Sequence, residues 1–430
     1  MFSGKRVGGA VDWVGVLDPD IRVFDIIMRT EYGTTYNSYV VRGEDKTAVI
    51  DIVKDGFFDE FLERLRSVTD PARVDYIVVN HSEPDHTGSL FRLLSLCPNA
   101  QVVGTAGALS FLKQIVNRDF AKITARDNDS LDLGGLMLRF FPLPFLHWPD
   151  TMFTYLETYS DEFEAQKVLF TCDGFGAHFC DERIFNDLVP EDVIENDYIP
   201  AYKYYFDSIM DPFKPHVLKA ATKVAGLMES GSGGGSKLDI ICPGHGLILR
   251  RDLKRYVDLY AEWARPRKNP RPLVTVCYVS SYGYTGQLAE RLTQGVSAAG
   301  DIEAAAFDLV ADGTDIKAVL ERIGRSDGLM FGTPTIVGDA LPPVYELLAR
   351  LNPIIHGGKL ALAFGSYGWS GEGVPNIEQR MTALKFRMPF ERVRVQFKPA
   401  QDDLNRAFEA GKAFGEELLR AANAKSCEIM

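Results

Sequence analysis

The stretch His81-Ser82-Glu83-Pro84-Asp85-His86 sets two imidazoles and two carboxylates within six residues, directly after the apolar run Tyr76-Ile77-Val78-Val79. A bounded apolar run of this length reads as a short buried strand. Side chains that leave the end of a rigid strand converge on a small volume. Two nitrogen and two oxygen donors, with no thiolate, suit a redox metal such as iron or manganese at least as well as zinc. Three further candidates each follow an apolar stretch: His147 in Phe145-Leu146-His147, Asp173 after Val168-Leu169-Phe170-Thr171-Cys172, and His245 after Ile240-Ile241-Cys242-Pro243-Gly244. His81, His86, His147 and His245 supply four nitrogens, and Glu83, Asp85 and Asp173 three carboxylates. Seven donors overfill one tetrahedral metal. They fit two metals if one carboxylate bridges, with positions left open for a substrate. Tyr36, Trp148 and His178 are candidate neighbours of the site, whereas His216 and His356 read as surface or core residues.

A second constellation lies further along. Ser280-Ser281-Tyr282-Gly283-Tyr284-Thr285 joins an expected strand to an expected helix, so hydroxyls and backbone amides collect at a helix N-terminus and form an anion site. The pattern lacks the glycine–lysine loop of nucleoside triphosphate binding and the G-x-G-x-x-G of dinucleotide binding. Thr333-Pro334-Thr335-Ile336 and Gly365-Ser366-Tyr367-Gly368-Trp369-Ser370-Gly371 follow two more apolar runs, with aromatic rings that can stack on a planar ligand.

The elements that must carry these residues fall into two groups. In residues 1–265, strand-like runs occur at 22–27, 36–41, 47–51, 76–79, 101–103, 137–141, 153–156, 168–170 and 238–241, with a helix over 57–66. Strands both in series and alternating with helices indicate a layered α/β sandwich. Residues 272–430 alternate cleanly: strands at 273–279, 328–331 and 359–364, helices at 287–298, 343–351 and 404–422. That rhythm implies a doubly wound parallel sheet, whose ligands sit beyond the carboxyl ends of its strands. The stretch Trp263–Pro272, with three prolines and four basic residues in ten positions, marks the linker. The Gly/Ser run 230–236 reads as a flexible surface loop.

Composition narrows the class. With 430 residues, 25% charged and a net charge of -12, the chain is a poor candidate for gripping nucleic acid or an anionic membrane surface. No apolar run reaches the length of a membrane span, and no signal peptide is evident. Six scattered cysteines without a C-x-x-C pair suggest neither a disulfide framework nor a rubredoxin-type knuckle, and point to a reducing cytoplasm.

The order H-x-E-x-D-H followed by His147, Asp173 and His245 resembles the metallo-β-lactamase-like domain of the flavodiiron proteins (A-type flavoproteins). Tyr32-Gly33-Thr34-Thr35-Tyr36-Asn37-Ser38-Tyr39 is similar to that family's N-terminal signature, and the later half resembles a flavodoxin domain. The resemblance implies a metallo-β-lactamase-like αββα sandwich over 1–265, then a flavodoxin-like doubly wound parallel sheet over 272–430. It places one iron on His81, Glu83 and His147, a second on Asp85, His86 and His245, with Asp173 bridging, and FMN on the three later loops. Related zinc hydrolases carry His where Glu83 stands; a carboxylate there favours iron. The implied activity is reduction of dioxygen to water and/or nitric oxide to nitrous oxide, with FMN re-reducing the irons. The implied assembly is a head-to-tail homodimer or dimer of dimers, fed by a separate electron donor such as rubredoxin or a reduced flavin/deazaflavin system. Arg380, Lys385, Arg387, Arg392, Arg394 and Lys398 form a basic stretch that could steer an acidic donor. The competing readings are a zinc-dependent hydrolase with an appended flavodoxin domain, and a flavin electron carrier or redox sensor.

Overall fold

Short, apolar, β-branched runs separated by turn residues dominate the first part of the chain, and they pair into two sheets. The structure, a computed structural model, describes residues 2–229, 238–266 and 269–428. The glycine/serine loop and part of the basic linker expected above lie outside the described residues. Chain contacts divide the protein into two units, Met1–Pro266 and Arg267–Met430.

In the first unit, seven strands run in the order Lys5–Gly8, Val11–Trp13, Tyr39–Arg42, Thr47–Ile50, Tyr76–Val78, Gln101–Gly104 and Lys122–Thr124. Pairing is antiparallel up to Thr47–Ile50 and parallel beyond it. A second sheet orders Ser130–Asp132, Leu136–Pro142, Met152–Thr158, Lys167–Cys172 and Ile240–Pro243. The inner faces meet in one apolar layer that includes Trp13, Tyr39, Val78 and Val103 from the first sheet and Phe140, Leu156, Phe170 and Cys242 from the second. The outer face of the first sheet is covered by helices Phe58–Val68, Leu90–Leu96 and Ala106–Val116, through Phe61, Leu65, Leu93 and Leu112. The outer face of the second is covered by Ile199–Tyr205, Lys214–Glu229 and Leu253–Ala264. Helices on both outer faces of two stacked sheets make the αββα sandwich.

This layering aims four strands at one site. Leu136–Pro142, Lys167–Cys172 and Ile240–Pro243 point the same way, because two antiparallel steps and one parallel step relate them. Their carboxyl ends deliver His147, Asp173 and His245, and the end of Tyr76–Val78 delivers the His81–His86 segment.

Two expected strands differ from the structure. The run 22–27 is a tight hairpin, Val23–Phe24 paired with Met28–Arg29, turned by Asp25 and Ile26 at φ 47° and 68°. Two left-handed residues make a hairpin turn whose twist suits the strands, but an isoleucine there is an uncommon signal. The run 36–41 splits into Thr34–Tyr36 and Tyr39–Arg42. Asn37 and Ser38 leave the ladder between them: Asn37 Nδ2 donates to Pro243 O and Gly246 O, and Ser38 Oγ to Asp51 O.

In the second unit, all strands are parallel in the order Glu303–Asp308, Leu273–Tyr278, Gly328–Gly332, Leu360–Tyr367, Val393–Gln396. This is the flavodoxin-like order, with a switch point beside the first strand in sequence. Helices Tyr284–Ala298 and Gln401–Glu428 cover one face, and Ile316–Arg325, Pro342–Ala349 and Gly373–Ala383 the other. The sequence patterning anticipates three of the five strands. The edge strands Glu303–Asp308 and Val393–Gln396 escape it because they are half-exposed and carry charge.

Phe170 lies fully buried between the sheets, with its ring 5.2 Å from that of Tyr39. Phe170→Ala should leave a cavity costing about 3–5 kcal/mol, seen as a lower urea midpoint by tryptophan fluorescence with an unchanged slope.

Candidate functional site

The structure brings all seven expected donors together. His81, Glu83, His147 and Asp173 each offer a ligand atom within 4.8 Å of the others, and so do Asp85, His86 and His245. Asp173 links the two groups through different oxygens. Its Oδ2 lies 3.4 Å from His81 Nε2 and 3.3 Å from His147 Nε2, whereas its Oδ1 lies 3.1 Å from His86 Nε2 and 3.5 Å from His245 Nε2. Glu83 closes the first group, with Oε2 2.9 Å from His147 Nε2. Asp85 closes the second, with Oδ2 3.0 Å from His245 Nε2.

A structural network would leave such buried groups paired, yet among the described residues Asp85 Oδ1 and Asp173 Oδ2 complete no hydrogen bond. Buried polar atoms without partners are rare unless an ion satisfies them. Four imidazoles facing three carboxylates across one small volume therefore fit two hard or borderline cations. Cys172 Sγ also comes within 4.8 Å of donor atoms of His86 and Asp173. Burial and the charges of Asp51 and Asp173 push its thiol well above the usual range, so it stays protonated.

A second layer of contacts holds the donors in place. Asp150 accepts from Ser82 N at 2.9 Å and sets its other oxygen 3.6 Å from His81 Nδ1. His245 Nδ1 donates to Thr35 O at 2.6 Å, which turns Nε2 toward the site. Tyr39 Oη donates to Pro243 O at 2.7 Å, and Asn37 N to Gly244 O at 2.8 Å. The segment 34–39 is thus a clamp on the His245 loop. Gly244 is needed there, since a Cβ would stand 2.7 Å from His86 Cε1. Asn80 fixes the start of the first ligand loop by donating from N and Nδ2 to Asp51 at 2.7 and 2.9 Å. Non-glycine residues with positive φ gather around the site: Asp51, Phe145, Cys172 and Phe175. Backbone strain of this kind persists where surrounding structure over-determines a functional geometry.

A cavity of about 230 Å³ opens onto Glu83, Asp85, His147, Asp173 and His245. Its remaining wall is largely apolar, with Phe24, Ile27, Met28, Ile209 and Phe213. Asp25 and Tyr205 also line it. Burial, then the charges of Glu83 and Asp85, raise the Asp25 carboxyl above its ordinary value. Tyr205 Oη donates to Asp173 Oδ1 at 2.9 Å. Sequence reasoning singled out neither residue, nor Asp150; no local motif marks them, because each reaches the site from a different segment. Of the expected neighbours, Tyr36 packs its ring 5.7 Å from that of His245, Trp148 lies 5.1 Å from His81, and His178 lies 5.0 Å from His245. His178 Nδ1 bonds with Thr34 Oγ1 at 2.9 Å, and burial together with the nearby His245 holds its imidazole neutral. His216 packs on Phe145 at 4.9 Å, outside the donor groups.

In the second unit, Ser280–Thr285, Thr333–Ile336 and Gly365–Gly371 lie at or beyond the carboxyl ends of three adjacent parallel strands. Thr285, Thr333 and Ser366 are buried and tie the loops together. Thr285 Oγ1 bonds with Ser366 Oγ at 2.9 Å, Thr335 N donates to Ser366 O at 3.0 Å, and Leu341 N to Thr333 Oγ1 at 3.1 Å. Ser280 Oγ accepts from Gly286 N at 3.2 Å, which opens the helix Tyr284–Ala298 behind Gly283 at φ 77°. The rings of Tyr282 and Trp369 are 82% and 88% exposed, leaving aromatic faces free to cover a planar ligand. Arg394 Nη1 donates to Gly371 O, and its guanidinium lies over Tyr367, so this member of the basic stretch braces a loop. Arg387 pairs with Glu417 and Arg392 with Glu378. Much of the charge expected to steer a donor is therefore compensated locally.

An αββα sandwich with seven candidate donors gathered in two groups about Asp173, followed by a flavodoxin-like sheet, defines the class of two-centre flavin and metal proteins. Comparisons with known proteins agree. Residues 34–246 match a family described as "ODP family beta lactamase", and residues 276–411 match "Flavodoxin". The type A flavoprotein fprA of Rhodobacter capsulatus is 41% identical over 96% of this chain and 90% of its own length. A nitric oxide reductase of Moorella thermoacetica is 34% identical over 97% of this chain and 100% of its own. Among solved structures, the rubredoxin oxygen:oxidoreductase of Desulfovibrio gigas aligns with a TM-score of 0.63 at 26% identity, covering 97% of this chain and 99% of that one. The flavodiiron protein of Giardia intestinalis aligns at 0.60 and 29%, covering 97% and 98%. The chain belongs to the flavodiiron family.

Asp150→Ala keeps all seven donors but frees the His81 ring, so iron affinity should fall about 10- to 100-fold in chelator competition. Left to one another, the donors share protons. Against burial, Asp150 and Glu83 raise His81 to about 9, Asp85 and Asp173 raise His86 to about 10, and Asp173 and Glu83 raise His147 to about 10. Loading the apoprotein with ferrous iron at pH 7 should therefore release about three protons, read from the buffer dependence of the binding enthalpy. The same raised values stabilise the apoprotein fully below pH 6.5, and that part is lost as pH climbs through 9 to 10. A melting temperature of the apoprotein that stays flat across this window would contradict the assignment.

Proposed function

We infer that this protein is an oxidoreductase that reduces dioxygen to water and/or nitric oxide to nitrous oxide at a non-haem diiron centre supplied with electrons by FMN. The observation that carries this reading is Asp173, whose two carboxylate oxygens each face a separate donor triad. His81, Glu83 and His147 would hold one iron, Asp85, His86 and His245 the other, with Asp173 between them. When bound, the irons supply Lewis acidity and electrons, and the flavin replaces those electrons.

The chain's own residues do the rest. The largely apolar cavity of about 230 Å³ admits a small neutral molecule and discourages the large or charged substrates of hydrolases. Five of the seven donors are buried, which limits water around them and strengthens the carboxylate and imidazole dipoles. Asp25 stands at the cavity wall with a raised affinity for protons, and Tyr205 presents a hydroxyl beside Asp173. Both can hold a proton near a substrate that must take up protons with its electrons. In the second unit, the amides and hydroxyls of Ser280–Thr285 would receive the FMN phosphate. The Thr333–Ile336 and Gly365–Gly371 loops would edge the ring, with Tyr282 and Trp369 against its faces.

The assembly proposed is a head-to-tail homodimer, alone or paired again, in which the flavin end of one copy serves the metal cavity of the other. The exposed tip Ile26 and Ile27, 93% and 82% accessible beside that cavity, supports it, as do exposed Val337 and Trp369 at the flavin end. The electron donor is proposed to be a separate protein such as rubredoxin, or a reduced flavin/deazaflavin system. No described helix is long and apolar enough to cross a membrane, and the five described cysteines are free, which supports a cytoplasmic setting.

Anaerobic purification should yield about two irons and one FMN per chain. Chemically reduced protein should then consume dioxygen, nitric oxide or both. Two zinc ions and no gas consumption would favour the hydrolase reading, whereas bound FMN with neither gas consumed would favour an electron carrier. Trp369→Ala should weaken FMN binding by about 0.5–1.5 kcal/mol, measured by flavin fluorescence titration.

A further inference from the structure

The wall behind the metal site holds an unusual store of buried phenols. Tyr198, Tyr202, Tyr205 and Tyr260 are each 1% exposed or less, where aliphatic residues or phenylalanine would fill the same space more cheaply. Among the described residues, Tyr198 Oη has no hydrogen-bond partner and Tyr260 Oη reaches only Gly176 O, at 3.4 Å. Burying hydroxyls so poorly satisfied is costly, and packing alone does not call for them.

Their placement forms a row. Tyr198, Tyr202 and Tyr205 recur at helical spacing on one segment, bounded on both sides by π-helical turns, Ile194–Tyr198 and Phe206–Met210. Such turns gather at functional sites. Tyr205 touches Asp173 through its 2.9 Å hydrogen bond. Tyr205 and Tyr260 both stand against Gly176: the Tyr205 Cζ lies 3.5 Å from the position a Cβ would take, and the Tyr260 hydroxyl lies 3.4 Å from the carbonyl oxygen. On the helix Leu253–Ala264, Tyr260 stands three residues before Trp263, with centroids 6.2 Å apart. Tyr202 braces both rings, at 4.9 and 5.5 Å. Trp263 is only partly buried, so the row runs from the bridging carboxylate to solvent.

Phenols and indoles are the side chains that most readily give up one electron. We propose that Tyr205, Tyr260 and Trp263 form a relay that drains oxidising equivalents from the diiron site to the surface when dioxygen arrives and flavin electrons do not. In each escape, one electron leaves the Trp263 indole and reaches the over-oxidised site, which takes up a proton from water. Tyr205 and Tyr260 are refilled in passing and show no net change. The indole releases its N–H proton to solvent. A small-molecule thiol then returns a hydrogen atom: its S–H bond breaks, the indole N–H bond re-forms, and a thiyl radical departs. The inference rests on the proposed dioxygen reduction and adds a protective function to it.

The test uses iron- and FMN-loaded protein given excess dioxygen and limiting reductant. Freeze-quenched samples should show an organic radical by electron paramagnetic resonance. Peptide mapping should find oxidation concentrated at Trp263 and suppressed by added thiol. Trp263→Phe should keep the initial rate of dioxygen consumption but shorten working life several-fold, shifting oxidation inward to the ligand loops. Trp263→Tyr, which restores an oxidisable ring of similar bulk, should recover that life. The relay is overturned if dioxygen is consumed normally with no organic radical, if oxidation centres on Trp148 instead, or if Trp263→Phe lasts as long as the parent. Loaded protein that consumes no dioxygen overturns the functional reading itself, and the relay with it.

Discussion

Everything in the first unit is subordinate to the placement of one carboxylate. Asp173 must be buried, charged and open on two sides at once, and a protein interior penalises all three. Burial opposes its ionisation, yet His86, His147 and His81 hold its carboxyl well below the usual range. It can stay in that position only because four imidazoles surround it, and those imidazoles are in turn fixed by separate strand ends. Two stacked sheets with parallel carboxyl ends are a direct way to bring four chain segments to one point without loops of great length.

That constraint explains the hydrogen-bond traffic around the site. The clamp formed by Thr34, Thr35, Asn37 and Tyr39 acts on Pro243–Gly246, some two hundred residues away in sequence. Asp51 and Thr154 act on Asn80 from two different sheets, with Thr154 Oγ1 donating to Asn80 Oδ1 at 2.6 Å. A metal pair tolerates little error in ligand position, and such outer contacts convert sheet rigidity into ligand geometry. The left-handed backbone at Cys172, immediately before Asp173, belongs to the same arrangement.

How much of this could be seen in the sequence follows from how local each signal is. The H-x-E-x-D-H segment is local, and so are the turns that carry His147, Asp173 and His245, since each ends an apolar run. The central strands of the second unit were visible for the same reason, being continuous apolar runs buried on both faces. Asp150, Asp25 and Tyr205 were not visible, because only tertiary folding gives an isolated carboxylate or phenol its meaning. The edge strands Glu303–Asp308 and Val393–Gln396 lacked a hydrophobic period, and the Asp25–Ile26 turn lacked the glycine that normally marks a hairpin. The basic stretch 380–398 was legible as charge that could steer an acidic donor, but not the contacts its arginines make with Glu378, Glu417 and loop carbonyls.

The buried tyrosines follow from the same burial that makes the metal site work. A site reached only through a small, largely apolar cavity and loaded with electrons has few solvent reductants at hand when its supply fails, so a route through the protein gains value. The aliphatic and aromatic layer under the second sheet is where such a route can lie without admitting water, since electrons pass between nearby buried rings without a channel. Placing phenols rather than phenylalanines there sacrifices some packing stability, since the Tyr260 hydroxyl reaches Gly176 O only at 3.4 Å. A fold selected only for stability would have no reason to keep that hydroxyl. One that must survive its own oxidising substrate does.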